Sequence, residues 1–163
     1  MKPVAVDDVL RFKYLSEISF SPEGTSACLA VTEADMKKNG YKSYLYLLRD
    51  GKFTRLTSGG KERSFKYLDE KTIIFPGNRE DDEDKKDVDI TSRWYRIRLD
   101  GGEAQLAFTF PIPVTKIIPL KNGDLLLKGQ TFPGFEDLYT GDKKYLKDFT
   151  KYMKENADYE EIT

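Results

Sequence analysis

The chain has 163 residues, 27 basic and 28 acidic side chains, and an aromatic content of 13%. This is enough chain for one domain with a real core and too apolar for a disordered one, and the nearly cancelling charges supply no global field to draw it onto nucleic acid or an anionic membrane. With a single cysteine, Cys28, and no histidine, these residues cannot build an internal disulfide, a Ser-His-Asp or Cys-His catalytic unit, or an imidazole-ligated zinc site.

Met1-Lys2-Pro3 is followed by acidic residues and not by a continuous apolar run. The expectation is therefore no secretory signal and no membrane span, and a reducing, cytoplasmic setting. Residues 4–15 alternate poorly and predict a lead-in with one helical turn capped by Asp7 or Asp8. Ile18-Ser19-Phe20 then alternates as a strand and stops at Ser21-Pro22-Glu23-Gly24, where Pro22 presets the first turn dihedral and Gly24 tolerates a positive one. Residues 27–32, Ala-Cys-Leu-Ala-Val-Thr, form an apolar run expected as a strand buried on both faces, with Cys28 in it. A polar segment, 33–42, is expected to link it to a third strand over 43–49, and Asp50-Gly51 signals a hairpin into a fourth at 53–57.

The same order then returns. Residues 65–68 and 72–75 flank a turn at Asp69-Glu70, a long charged stretch follows, and Trp94-Tyr95-Arg96-Ile97-Arg98-Leu99 runs into Asp100-Gly101 before another strand at 104–108. The phrase at 94–103 repeats the one at 44–53, giving a unit of roughly 50 residues, the period of propeller blades. A third unit opens with 114–120, turns at Asn122-Gly123 and continues through 124–129. It then gives way to an amphipathic helix over 142–156, with Tyr145, Leu146, Phe149, Tyr152 and Met153 on one face, Asp142 as N-cap and Asn156 as stop.

The predicted fold is all-β. It is an incomplete β-propeller of about two and a half four-stranded antiparallel blades, with a C-terminal amphipathic helix. Blade one spans about 16–58, blade two about 63–109 and a partial blade three about 113–163. A ring needs roughly 4 to 8 blades, so the unclosed edge is expected to drive self-association.

Phe20-Ser21-Pro22-Glu23-Gly24, the strand 28–31, the hairpin 44–56 and the stretch 94–103 resemble the opening blades of the propeller in prolyl oligopeptidase family serine peptidases, the acylaminoacyl-peptidase-like branch in particular. Similar phrases also occur in propellers that bind lipoprotein partners in the bacterial envelope. The first resemblance implies a non-catalytic domain that gates peptide access to an α/β-hydrolase domain, whose Gly-x-Ser-x-Gly, acid and histidine would lie outside these residues. It implies the hydrolase domain as partner and short peptides as the substrate of the whole enzyme. A propeller-like interaction module with no attached enzyme is the alternative. No catalytic, cofactor-binding or metal-ligating residue is assigned to this chain, and no cofactor is expected.

Other features have structural and functional readings side by side. The acidic stretch 80–89, Glu-Asp-Asp-Glu-Asp-Lys-Lys-Asp-Val-Asp, lacks a calcium loop's glycine and reads first as a solvated loop, second as an electrostatic collar for cationic peptide ends. Segments 33–42, 78–92 and 131–163 are expected to leave one face of the propeller, the candidate contact surface for the hydrolase domain. Trp94 and Tyr95 read as core in preference to a substrate-facing pair. Arg93, Arg96 and Arg98 read as an exposed strand face in preference to a carboxylate site, and Cys28 as inert.

Overall fold

The computed structural model describes residues 6–77, 92–137 and 142–155. It comprises a short 3-10 helix (Val6–Arg11), ten strands, β1 (Lys13–Phe20), β2 (Ala27–Asp35), β3 (Gly40–Arg49), β4 (Lys52–Arg55), β5 (Lys66–Asp69), β6 (Thr72–Pro76), β7 (Ser92–Arg98), β8 (Gln105–Phe110), β9 (Val114–Pro119) and β10 (Leu125–Gly129), and a helix, α1 (Lys143–Glu155). The strands form two four-stranded sheets, β1-β2-β3-β4 and β5-β6-β7-β8, and a hairpin of β9 and β10. Each four-stranded sheet is a meander of neighbours in chain order, the construction of a propeller blade, and the predicted all-β, incomplete propeller with a C-terminal helix is the architecture observed.

The chain divides into two compact units, Met1–Gly77 with Trp94–Ala107, and Asn78–Arg93 with Phe108–Thr163. In the first unit, period-2 burial gives β3 an inner and an outer face. On β3, Ser43, Leu45 and Leu47 are buried while Tyr44, Tyr46 and Leu48 are not. The partners of the inner set on β2 are Thr32, Ala30 and Cys28. On the second sheet, Ile73 pairs with Ile97 and Phe75 with Tyr95, and Phe75 and Tyr95 stack at 6.1 Å. These side chains, with Phe65 and Leu99, close into one apolar core together with Cys28, Ala30, Leu45 and Leu47. The core thus joins the facing sides of the two sheets, and β2 is buried on both faces through Ala27–Val31, as its continuous apolar run requires.

The turns follow from their residues. Gly24 carries φ +73° and donates its N–H to the Ser21 carbonyl at 2.9 Å, closing the Ser-Pro-Glu-Gly turn. Arg49 pairs directly with Lys52, leaving Asp50 (φ 51°) and Gly51 (φ 70°) as a two-residue connection with both residues left-handed, the I′ geometry that suits twisted strands.

Three expectations need correction. The polar segment 33–42 is a loop only at 36–39: β2 and β3 stay in register through Glu33↔Lys42, Ala34↔Tyr41 and Asp35↔Gly40. A Lys42–Asp35 ion pair at 2.9 Å supports the extension, so hydrophilic side chains here mark charged pairs between strands. The strand expected at Ile18 begins at Lys13, because Lys13 to Ser16 continue the ladder against Glu33 to Ala30 and a bulge follows, with Glu17 at φ 52°. The second Asp-Gly does not repeat the two-residue turn of the first. Gly101 and Gly102, at φ +115° and +108°, begin a longer connection from β7 to β8.

In the second unit, Val114 and Ile117 of β9 are buried, and Ser92 Oγ ties the start of β7 to this segment, accepting from Val114 N at 2.6 Å and donating to the Ile112 carbonyl at 2.9 Å. Asp142 caps α1: its carboxylate accepts from Lys144 N at 2.8 Å, and its carbonyl accepts from Leu146 N at 3.0 Å. Phe149 is fully buried, packed on Phe132 at 4.6 Å and Phe135 at 5.2 Å, with Phe135 also meeting Tyr152 at 5.3 Å. The apolar face of the helix therefore finds a partner in the chain's own 132–135 segment. The predicted stop, Asn156, and the side chain of Met153 lie outside the described residues.

Candidate functional site

The residues singled out in the sequence resolve mostly into structure. Trp94 and Tyr95 are 3% and 6% exposed, core positions as predicted. The Trp94 indole N–H is buried and has no hydrogen-bond partner among the described residues. Arg96 and Arg98 lie on the exposed side of β7. Arg98 is committed to Asp100 through two bonds, Nε to Oδ1 at 2.9 Å and Nη2 to Oδ2 at 2.5 Å.

Cys28 is fully buried, and its Sγ accepts from the Tyr67 hydroxyl at 3.2 Å. Burial pushes the thiol above its ordinary range, the reverse of what a nucleophile needs. The Tyr67 phenol is raised too, chiefly by burial and then by its bond to Cys28.

The acidic stretch 80–89 lies outside the described residues. Among the described residues, no group of three or more histidine, cysteine, aspartate or glutamate side chains could hold a metal ion. Of the three segments expected to form the contact face, 33–42 is strand at both ends with a turn only at 36–39, and 78–91 lies outside the described residues. The 131–155 segment carries the aromatic cluster and α1.

A polar constellation that the sequence did not announce sits at the turn end of the two sheets. Glu70, in the β5–β6 turn of the second sheet, reaches the Ser-Pro-Glu-Gly turn of the first. Its Oε1 accepts from Ser21 Oγ at 2.6 Å and from Thr25 Oγ1, and its Oε2 accepts from Glu23 N at 2.9 Å. These donors hold the carboxyl below its usual range, with Ser21 the largest contributor, then Thr25 and the Glu23 amide, and with Arg49 adding a favourable charge. Beside it opens a cleft of about 360 Å³ lined by Thr25, Arg49, Glu70, Lys71 and Asp100. The Asp100 carboxyl is likewise lowered, first by Arg98 and more weakly by Lys71. Only a register-level comparison of the two blades marks the place: both Asp-Gly turns and both first-to-second strand turns fall at one end of their meanders.

No protein-family model matches the sequence, and no curated protein matches it. Among solved structures it is similar to the β-propeller domain of the Trilobed protease from Pyrococcus furiosus, described as having an open velcro topology. The TM-score is 0.55 at 15% identity, covering 77% of this chain and 37% of that one. The chain spans little more than a third of the length of that structure. At this identity the likeness is one of fold, and it agrees with the sheets described above: the chain folds as part of a β-propeller.

Proposed function

We propose that the chain is the propeller portion of an intracellular serine peptidase of the prolyl oligopeptidase type, of the acylaminoacyl-peptidase-like branch, and that it selects peptides for a hydrolase domain without taking part in the chemistry. The observation that carries this reading is the pair of sequential four-stranded blades, similar in fold to the propeller of a named protease. The sequence phrases at 20–24, 44–56 and 94–103 add the family resemblance. A propeller excludes folded substrates by size, so its effect belongs in the dependence of hydrolysis on peptide length. A cytoplasmic setting goes with this reading. Among the described residues no helix is long and apolar enough to cross a membrane.

The reading frame encoding this sequence supplies the first test. A Gly-x-Ser-x-Gly followed by a histidine in the same polypeptide supports the proposal, and a frame carrying only further blades sinks it. The second test is kinetic. In that full-length protein, removal of residues 1–163 should relax discrimination against long peptides while short acyl-peptide turnover survives. The 163-residue chain alone should show no peptidase turnover.

Self-association belongs to the same proposal. Leu15, Ile18 and Phe20 on β1 and Phe53 on β4, the two edge strands of the first sheet, are each more than half exposed, and exposed apolar side chains on unpaired edges favour a second copy. Light scattering over a concentration series tests it, and a monomer at every concentration refutes it.

A further inference from the structure

We infer that the cleft at the turn end of the two sheets is an oxyanion site, taking a small phosphate or carboxylate compound between Arg49 and Lys71. All five residues that line it, Thr25, Arg49, Glu70, Lys71 and Asp100, belong to the first compact unit, and its volume of about 360 Å³ falls in the range of small-ligand sites.

The argument turns on which charges are already spent. Both oxygens of Glu70 are occupied by donors of the facing turn, Ser21, Thr25 and the Glu23 amide. Both oxygens of Asp100 are occupied by the Arg98 guanidinium. Thr25 donates its hydroxyl to Glu70. Each oxygen of the two acids on the lining thus already accepts at least one hydrogen bond from a neighbour.

The two bases are in the opposite condition. Among the described residues neither the Arg49 guanidinium nor the Lys71 ammonium has a hydrogen bond or an ion pair, and each feels a carboxylate only at a distance, Glu70 for Arg49 and Asp100 for Lys71. The lining thus carries two acids whose oxygens already accept from neighbours and two bases without such partners. The complement is an acceptor-rich anion. A planar guanidinium and a point-charge ammonium together suit either a tetrahedral or a planar oxyanion. Arg49 is half-buried and Lys71 exposed, so one charge acts in a partly desolvated wall, where its attraction is stronger than in water, and the other closes over the ligand from the solvent side. The site does not depend on the proposed peptidase role.

The test is titration of the intact chain with inorganic phosphate and, separately, with succinate, into the millimolar range. Sodium chloride at matched ionic strength is the control, and backbone amide chemical shifts are read near the cleft. Saturable shifts at Gly51 and Gly101 with either anion support the site: phosphate alone assigns a tetrahedral ligand, succinate alone a carboxylate. Lys71→Gln, an exposed change, and Arg49→Gln should each weaken binding at least about tenfold, the effect of losing one charge-assisted contact. Lys52→Gln, exposed and outside the cleft, should leave it unchanged. Shifts that only follow ionic strength, or a Lys71→Gln variant that binds as the parent does, overturn the inference whether or not Arg49→Gln folds.

Discussion

The packing of the two blades against each other can be measured by one substitution with a control on the same strand. Leu45 of β3 is fully buried in the core shared by the two sheets, whereas Leu48, three residues on, faces the other way and is 42% exposed. Leu45→Ala removes three buried carbon groups, a transfer loss of about 2.4 kcal/mol at ~0.8 kcal/mol each. The cavity left between the sheets adds roughly a further 1 kcal/mol, because β2, β3, β6 and β7 all contribute side chains that cannot collapse together. A loss of about 3 to 4 kcal/mol is expected, against less than about 1 kcal/mol for Leu48→Ala. Urea unfolding followed by far-ultraviolet circular dichroism reads both, and with a slope of about 2 kcal/mol per molar the Leu45 midpoint should fall by more than about 1.5 M. Equal losses for the two leucines, or less than about 1 kcal/mol for Leu45→Ala, would falsify the assignment of β3's inner face and with it the shared core.

The Glu70 bridge predicts a pH dependence. Its folded carboxyl lies below the ordinary value of 4.5, so its contribution is present above that value and disappears as the pH falls through the folded one. Glu70→Gln should therefore lower the unfolding midpoint at pH 7, with the gap to the parent narrowing as the pH falls below 4.5; a gap independent of pH refutes the charge-based account. The Lys42–Asp35 pair makes a parallel case, since Lys42 is the main cause of the lowered Asp35 carboxyl. In Lys42→Gln that carboxyl should titrate higher by carbon-13 NMR, and an unchanged titration refutes the pair. Gly51→Ala meets no atom within 4 Å but must hold φ +70°, so it should cost about 1 kcal/mol in the same urea assay. Phe149→Ala should unlock amide exchange throughout α1 while β3 keeps its protection, because Phe149 packs on Phe132 and Phe135 in the second compact unit.

Legibility in the sequence tracked how local each determinant is. The 44–53 hairpin could be read because its turn chemistry and its alternation lie within ten residues, and the same holds for the Asp142 cap of α1. The extension of β2 and β3 through 33–42 could not. Glu33, Asp35 and Lys42 look like loop residues singly, and they stabilise a ladder only when set opposite each other. Repetition also misled at Asp100-Gly101, where Gly102 and Glu103 lengthen a connection that the first blade makes in two residues. Glu70 and Arg49 were opaque for a further reason. One reaches Ser21 across 49 residues, and the other matters for the partner it lacks, so neither leaves a pattern in its own neighbourhood.

The consecutive order of strands within each blade bears on how the chain acquires its structure. Every ladder in β1-β2-β3-β4 and β5-β6-β7-β8 joins neighbours in sequence, which keeps contact order low, a condition for fast folding. A blade can form as it leaves the ribosome, before the next is made. The link from Glu70 to Ser21 and the core around Leu45 can form only when the second meander arrives. Docking of one sheet on the other is an event separate from strand pairing, and substitutions at Leu45 should act on it more than those at Gly51.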